Sequence, residues 1–240
     1  MRGGTTASSA PAAHDWMPVA EDLRTLAWLH AQERTPEVLA ELYANGFPET
    51  LAVLTADAPE VQAMAKTLQA LASSHCESDA GLPGSTTDQL AADYAAIYLT
   101  HALRASPHES VWRDEDHLML QAPTFAVRDF YRRHGVQVAN WRQRADDHIT
   151  HELEFVALLL ERGEAREAAR FLKTHLLAWL PQFATRVAQR ADTPFYAALA
   201  ALTLAACKAC QQALPQVAVL PPVVTPADAQ RQSGCGTMLP

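Results

Sequence analysis

Between Ile149 and Leu160 the chain sets Ile149, Leu153, Val156, Ala157 and Leu160 at offsets of 4, 7, 8 and 11 residues. Those offsets return to one face of an α-helix, and a face so apolar has to pack against other helices. The helix belongs between Asp146 or Asp147, whose carboxylates suit a helix start, and Gly163, which suits its stop. No segment shows sustained strand alternation and no repeat of fixed period is present. Ala and Leu outnumber Val and Ile, hydrophobic residues make up 49% and only 9 residues are Gly, so the composition also favours helices. At 240 residues the chain can bury a sizeable core without metal or disulfide. The expected fold is therefore all-α, a single helical bundle over residues 16–214, and it requires no cofactor.

Helical spacing and helix punctuation place the remaining elements. A first helix is expected from about Val19 to Gln32, with Leu23, Leu26, Ala27 and Leu29 on one side. Pro36 opens a second that stops at Gly46, and a third follows Pro59 and carries Val61, Met64, Leu68 and Leu71. Residues 73–87, with Gly81, Pro83 and Gly84, read as a surface loop. Leu90, Tyr94, Ile97 and Tyr98 then recur at helical spacing up to Ser106-Pro107. A helix over Thr124–His134 has Thr124 as its expected N-cap and Gly135 as its stop. Two more are expected over Arg166–Leu180 and Pro194–Leu214, with Pro181 and Pro194 as boundaries. Residues 1–15 read as a disordered leader, and residues 215–240, with Pro215, Pro221, Pro222 and Pro226, as a proline-rich disordered tail.

The formal charge of -8 argues against nucleic acid as the main partner, because phosphate binding draws on clustered Lys and Arg. Cys76, Cys207, Cys210 and Cys235 do not form a disulfide framework, which fits a reducing compartment. Cys207 and Cys210 have the spacing of half a zinc site or a redox pair, yet no second ligand pair follows and no strand precedes them. Residues 1–14 lack the apolar core of a secretory signal, and no uncharged apolar run is long enough to span a bilayer, so a soluble cytoplasmic protein without stable membrane insertion is expected. No nucleophile with a neighbouring base, no phosphate-cradling Gly loop and no dinucleotide fingerprint is present, which favours binding over catalysis.

The landmarks from Pro107 to Leu214 fall in the order found in the TorD/DmsD family of chaperones. Glu109-Ser110-Val111-Trp112 resembles the family's short loop of Ser, Val and an aromatic. Phe130-Tyr131-Arg132-Arg133-His134-Gly135-Val136 resembles its helix ending in Gly and an aliphatic residue. Asp147-His148-Ile149 with Glu152-Leu153-Glu154-Phe155 resembles its Asp-His signature and the helix after it. Phe171-Leu172, His175-Leu176, Trp179-Leu180-Pro181 and Pro194-Phe195-Tyr196 resemble its late helices, and Asp93-Tyr94 with Ile97-Tyr98 is similar to its acidic-aromatic helix. The family often places Glu-Pro ahead of the acidic-Asp-His run, where Arg144 and Ala145 stand here.

This resemblance implies a TorD-like bundle that holds the precursor of a molybdopterin-dependent oxidoreductase by its twin-arginine leader. It also implies that Asp147 and His148 matter for peptide binding, and that the chain is a monomer or a domain-swapped homodimer with its hinge within 106–123. A receptor for two guanidinium groups followed by an apolar stretch needs carboxylates near an exposed greasy surface. Asp146 and Asp147 supply acceptors, Asp147 either for the peptide or for the start of its own helix. Trp112 lies in an acidic loop and either docks into the core or meets a partner. Ser110 and Tyr94 complete the candidate set, although the Tyr94 and Tyr98 spacing is that of a core stripe. In a rival reading, His148, His151 and Glu152, within one helical turn, hold a metal or cofactor in a helical enzyme.

Overall fold

The computed structural model describes residues 15–75, 85–100 and 104–217. The described residues form ten α-helices and contain no strand. They are α1 (Met17–Ala31), α2 (Pro36–Ala44), α3 (Pro59–His75), α4 (Thr86–Tyr94), α5 (Glu109–Arg113), α6 (Ala122–Arg133), α7 (Ile149–Glu161), α8 (Ala165–Thr174), α9 (Leu176–Arg190) and α10 (Pro194–Ala213). A π-helical turn over Ala95–Leu99 extends α4. The expected leader, all of the tail beyond 217, the centre of the 73–87 loop, Cys76 and Cys235 lie outside the described residues.

α7 is the centre of the bundle. Its expected stripe is buried throughout, and Thr150, Glu152, Phe155 and Leu159 are buried as well. A helix buried around most of its circumference needs neighbours on several sides. α1 lies along it and inserts Leu23, Leu26, Ala27 and Leu29, while α8 and α9 cover other faces. α10 packs against α9 and α3, and α2 against α3. Asp93 on α4 ties in α10 by accepting from the Thr193 amide and hydroxyl, both at 2.6 Å, and from the Asp192 amide at 3.1 Å. A carboxylate from another helix thus does the work of an N-cap.

Several expected boundaries move, each for a local reason. α6 begins at Ala122 with Pro123 in its first turn, so Thr124 is an interior, fully buried residue rather than the cap. The ring of Pro123 presets the first-turn dihedral, and its missing N–H is one that has no intrahelical partner there. α7 begins after the two aspartates: His148 is its cap, with Nδ1 accepting from the Thr150 amide at 3.1 Å. Pro181 does not end a helix but lies inside α9, and the chain instead breaks at His175, where φ is -118° and ψ is -89°. Losing one helical hydrogen bond at Pro181 is outweighed by burial of Trp179, Leu180 and Phe183 around it. Trp112 sits in α5, a single helical turn, and not in a loop.

Candidate functional site

Two non-adjacent stretches, 105–110 and 145–150, are buried at every position. Buried backbone outside regular structure must find hydrogen-bond partners, and here each stretch serves the other. The Glu109 amide donates to the Asp147 carbonyl at 3.0 Å and the Ile149 amide to the Pro107 carbonyl at 2.8 Å, pairing His108 with His148 in antiparallel fashion. Asp147 adds its side chain, with Oδ2 accepting from the Ser110 amide at 2.8 Å. It contacts the opposite stretch rather than capping α7, which leaves the cap to His148. Burial, followed by the neighbouring His108, pushes the His148 imidazole well below the usual histidine range, so it is neutral.

The other candidates surround this hub. Asp146 is 3% exposed and binds Arg128, whose Nη2 and Nε lie 2.7 and 3.1 Å from Oδ2. The Asp146 carbonyl accepts from the buried Tyr131 hydroxyl at 3.0 Å. Trp112 is half-buried against the core and donates from Nε1 to the Ser106 carbonyl at 2.8 Å, so it docks inward. Tyr94 and Tyr98 stack with centroids 4.8 Å apart in the core. The Tyr94 hydroxyl donates to the Ala31 carbonyl at 3.1 Å, and the same carbonyl accepts from Arg144 at 2.5 Å. Arg144, standing where the family often has Glu, thereby places a cation at the C-terminus of α1, where the helix dipole favours one. Asp146, Asp147, His148, Ser110 and Trp112 meet at the hub, whereas Tyr94 belongs to the neighbouring aromatic stack.

Beside the hub lies a buried cluster that sequence spacing alone does not reveal. Glu109 and Glu152 are fully buried, and the charge of Glu109 acts on Glu152. Glu109 also pairs with Arg113 and lies 3.0 Å from Nδ1 of His175, while Glu152 accepts from Trp179 Nε1 at 3.2 Å. Burial, and then the charge of Glu109, raises Glu152 well above the usual carboxylate range. The cation-poor member of the pair is thus the one that keeps its proton. The position of Glu152, three residues after Ile149 on the apolar face, was the sequence signal that it would be buried. His148, His151 and Glu152 do not converge on a shared point: His148 caps α7, His151 faces Glu154 at 3.9 Å, and Glu152 faces Trp179 and Glu109. Cys207 and Cys210 are buried, and burial pushes the Cys210 thiol up to about 12 and that of Cys207 well above its usual range, which makes both poor nucleophiles.

The accessible part of the site is the loop over 135–144 that leads into the hub. On one side a cavity of about 630 Å³ is lined by Arg24, Val138, Arg144, His151, Glu154 and Phe155, among others. On the other side a pocket of about 220 Å³ is lined by Arg128, Arg132, Val136, Val138, Trp141 and Asp146. Of the eight exposed large hydrophobic residues among those described, Leu118, Met119, Leu120, Phe125 and Trp141 all fall in the chain between α5 and α7. Phe125 and Trp141 both lie beside the Arg128 guanidinium, and Leu118, Met119 and Leu120 are consecutive in the chain.

The bundle and its paired buried turns define an all-helical class of fold, and comparison with known sequences gives the family. Residues 54–185 match the family model described as nitrate reductase delta subunit. The chain belongs to that family, in its TorD/DmsD branch. It is 36% identical over 124 residues to the Tat proofreading chaperone DmsD of Salmonella typhi, covering 50% of this chain and 60% of that protein. It is 29% identical over 197 residues to the chaperone protein TorD of Vibrio vulnificus, covering 76% of this chain and 87% of that protein. The chain thus spans about 60% of the length of the DmsD relatives it matches. No described helix is long and apolar enough to cross a membrane.

Proposed function

We propose that this chain is a cytoplasmic chaperone for the maturation of a redox enzyme. It binds the twin-arginine leader of an immature molybdopterin-dependent oxidoreductase and holds the precursor back from export until its cofactor is in place. The observation that carries this reading is the gathering of exposed apolar side chains between α5 and α7, on segments that leave and re-enter the hub. Carboxylates accompany them: Asp114, Glu115 and Asp116 precede Leu118, and Glu154 lines the larger cavity. Apolar contact supplies the affinity for the leader's hydrophobic stretch, and the acids select its arginines. Asp147, His148 and Ser110 are the frame that fixes both segments, Trp112 and Tyr94 brace it, and Asp146 works through Arg128.

The chain acts as a monomer or as a domain-swapped homodimer with its hinge within 106–123. Calorimetric titration of the full chain with twin-arginine leaders from molybdoenzymes of the same genome tests the reading. One leader is expected to bind at micromolar affinity or better, about 8 kcal/mol, and to weaken at least tenfold when both arginines become lysines. Folded protein that binds none of these leaders would overturn it.

A further inference from the structure

Arg128 is held in a way that suggests a recognition site. Its guanidinium approaches one buried carboxylate oxygen of Asp146 through two nitrogens, at 2.7 and 3.1 Å. Its Cζ also lies 4.8 Å from the ring centroid of Trp141 and 5.3 Å from that of Phe125. Both rings are exposed, Trp141 by 38% and Phe125 by 49%. Aromatic faces beside a carboxylate are the arrangement that recognises a planar cation, and a planar guanidinium fits it better than an ammonium. The pocket of about 220 Å³ borders the same group and is lined by Arg128, Asp146, Trp141, Val136 and Val138, among others. Asp129 and Asp147 add negative field at Arg128, while the other cations nearby are Arg132, paired with Asp129 at 3.6 Å, and Arg142, whose Cζ lies 5.0 Å from the Trp141 centroid. With Arg128 withdrawn, the slot would hold more negative than positive charge.

We propose that Arg128 is a placeholder in a guanidinium slot formed by Asp146, Phe125 and Trp141, and that an arginine of a bound peptide displaces it. The identity of that peptide as a leader rests on the function proposed above; the slot itself rests on geometry alone. An intramolecular competitor acts at high effective concentration, so the native chain binds more weakly than the contacts allow. Arg128 also filters ligands, since only a group that replaces its contacts to Asp146 leaves no buried carboxylate unpaired.

The test compares the wild-type full chain with Arg128→Ala and with the double variant Arg128→Ala, Asp146→Asn. Each is titrated with acetyl-Ala-Arg-Arg-Ala-amide, with its dilysine counterpart and with a full leader. Arg128→Ala is expected to bind the diarginine peptide at least tenfold more tightly than wild type and to prefer it over dilysine; the double variant is expected to lose that gain. If removing Arg128 lowers the melting temperature too far for titration, Arg128→Met keeps the aliphatic stem and takes its place. Agmatine should then raise the melting temperature of the Met variant and leave wild type unchanged. A folded variant that gains no affinity, or a gain that survives loss of the Asp146 charge, overturns the slot. Leader binding by wild type with no gain in the variant sinks the slot and leaves the chaperone reading standing. A gain for the short diarginine peptide with no leader bound by any form sinks the chaperone reading and leaves the slot.

Discussion

Residues 105–110 and 114–121 are separated by only three positions and behave as opposites. The first stretch is buried at every position, and its backbone is bonded to 145–150. The second exposes Leu118, Met119 and Leu120 and carries positive φ at His117 (56°) and Leu120 (60°), a conformation that costs non-glycine residues of order 1 kcal/mol each. Ser110, Asp147 and His148 lie within the buried pairing, and the exposed apolar residues Leu118, Met119, Leu120 and Trp141 lie on the segments beside it.

The largest effect that would sharpen this contrast is expected at Asp147. Replacing it with Ala leaves the buried Ser110 amide without its acceptor and should cost about 2 kcal/mol or more in urea unfolding. A cost below about 0.5 kcal/mol would mean that 105–110 does not need this bond and that the two stretches differ less than their burial implies.

Next comes the glutamate pair, where the members should respond unequally. Glu109→Gln removes the charge facing Arg113 and His175 and is expected to cost about 2 kcal/mol. Glu152→Gln replaces a group that already keeps its proton and should stay within about 1 kcal/mol of wild type below about pH 4.5, where the folded and unfolded wild type are both protonated at this position. Because the folded-state value of Glu152 is raised above its unfolded value, its contribution is fully present below about pH 4.5 and is lost as pH rises through the raised value. Wild type should therefore lose stability with rising pH relative to Glu152→Gln. Parallel pH profiles for the two proteins would break that assignment.

The smallest stability effect belongs to the exposed segment. Leu118→Ser should move the unfolding midpoint by no more than about 0.5 kcal/mol, while weakening leader binding by a factor readable in titration. A stability loss as large as that at Asp147 would show that 114–121 is core rather than contact surface.

The all-helical class, most helix positions and the buried face of α7 were legible in the sequence, because apolar periodicity and punctuation by Pro and Gly are local signals. The errors arose where tertiary contact overrode a local preference. Pro181 looked like a boundary, yet burial around it keeps α9 continuous. Asp147 looked like a helix start, yet its carboxylate serves Ser110 across the fold. Glu109 and Glu152 meet across 43 positions of sequence, and nothing in the composition of either segment announces the other.

By itself the sequence determined that the chain would be a helical bundle and to which family it would be akin, since both follow from the order and spacing of residues along one strand of text. Only the tertiary structure decided which of the marked residues face inward, which carboxylate each buried amide uses, and that Arg128 rather than an aspartate meets the exposed aromatic rings. Those outcomes depend on distances between segments far apart in the chain, which side-chain periodicity does not encode.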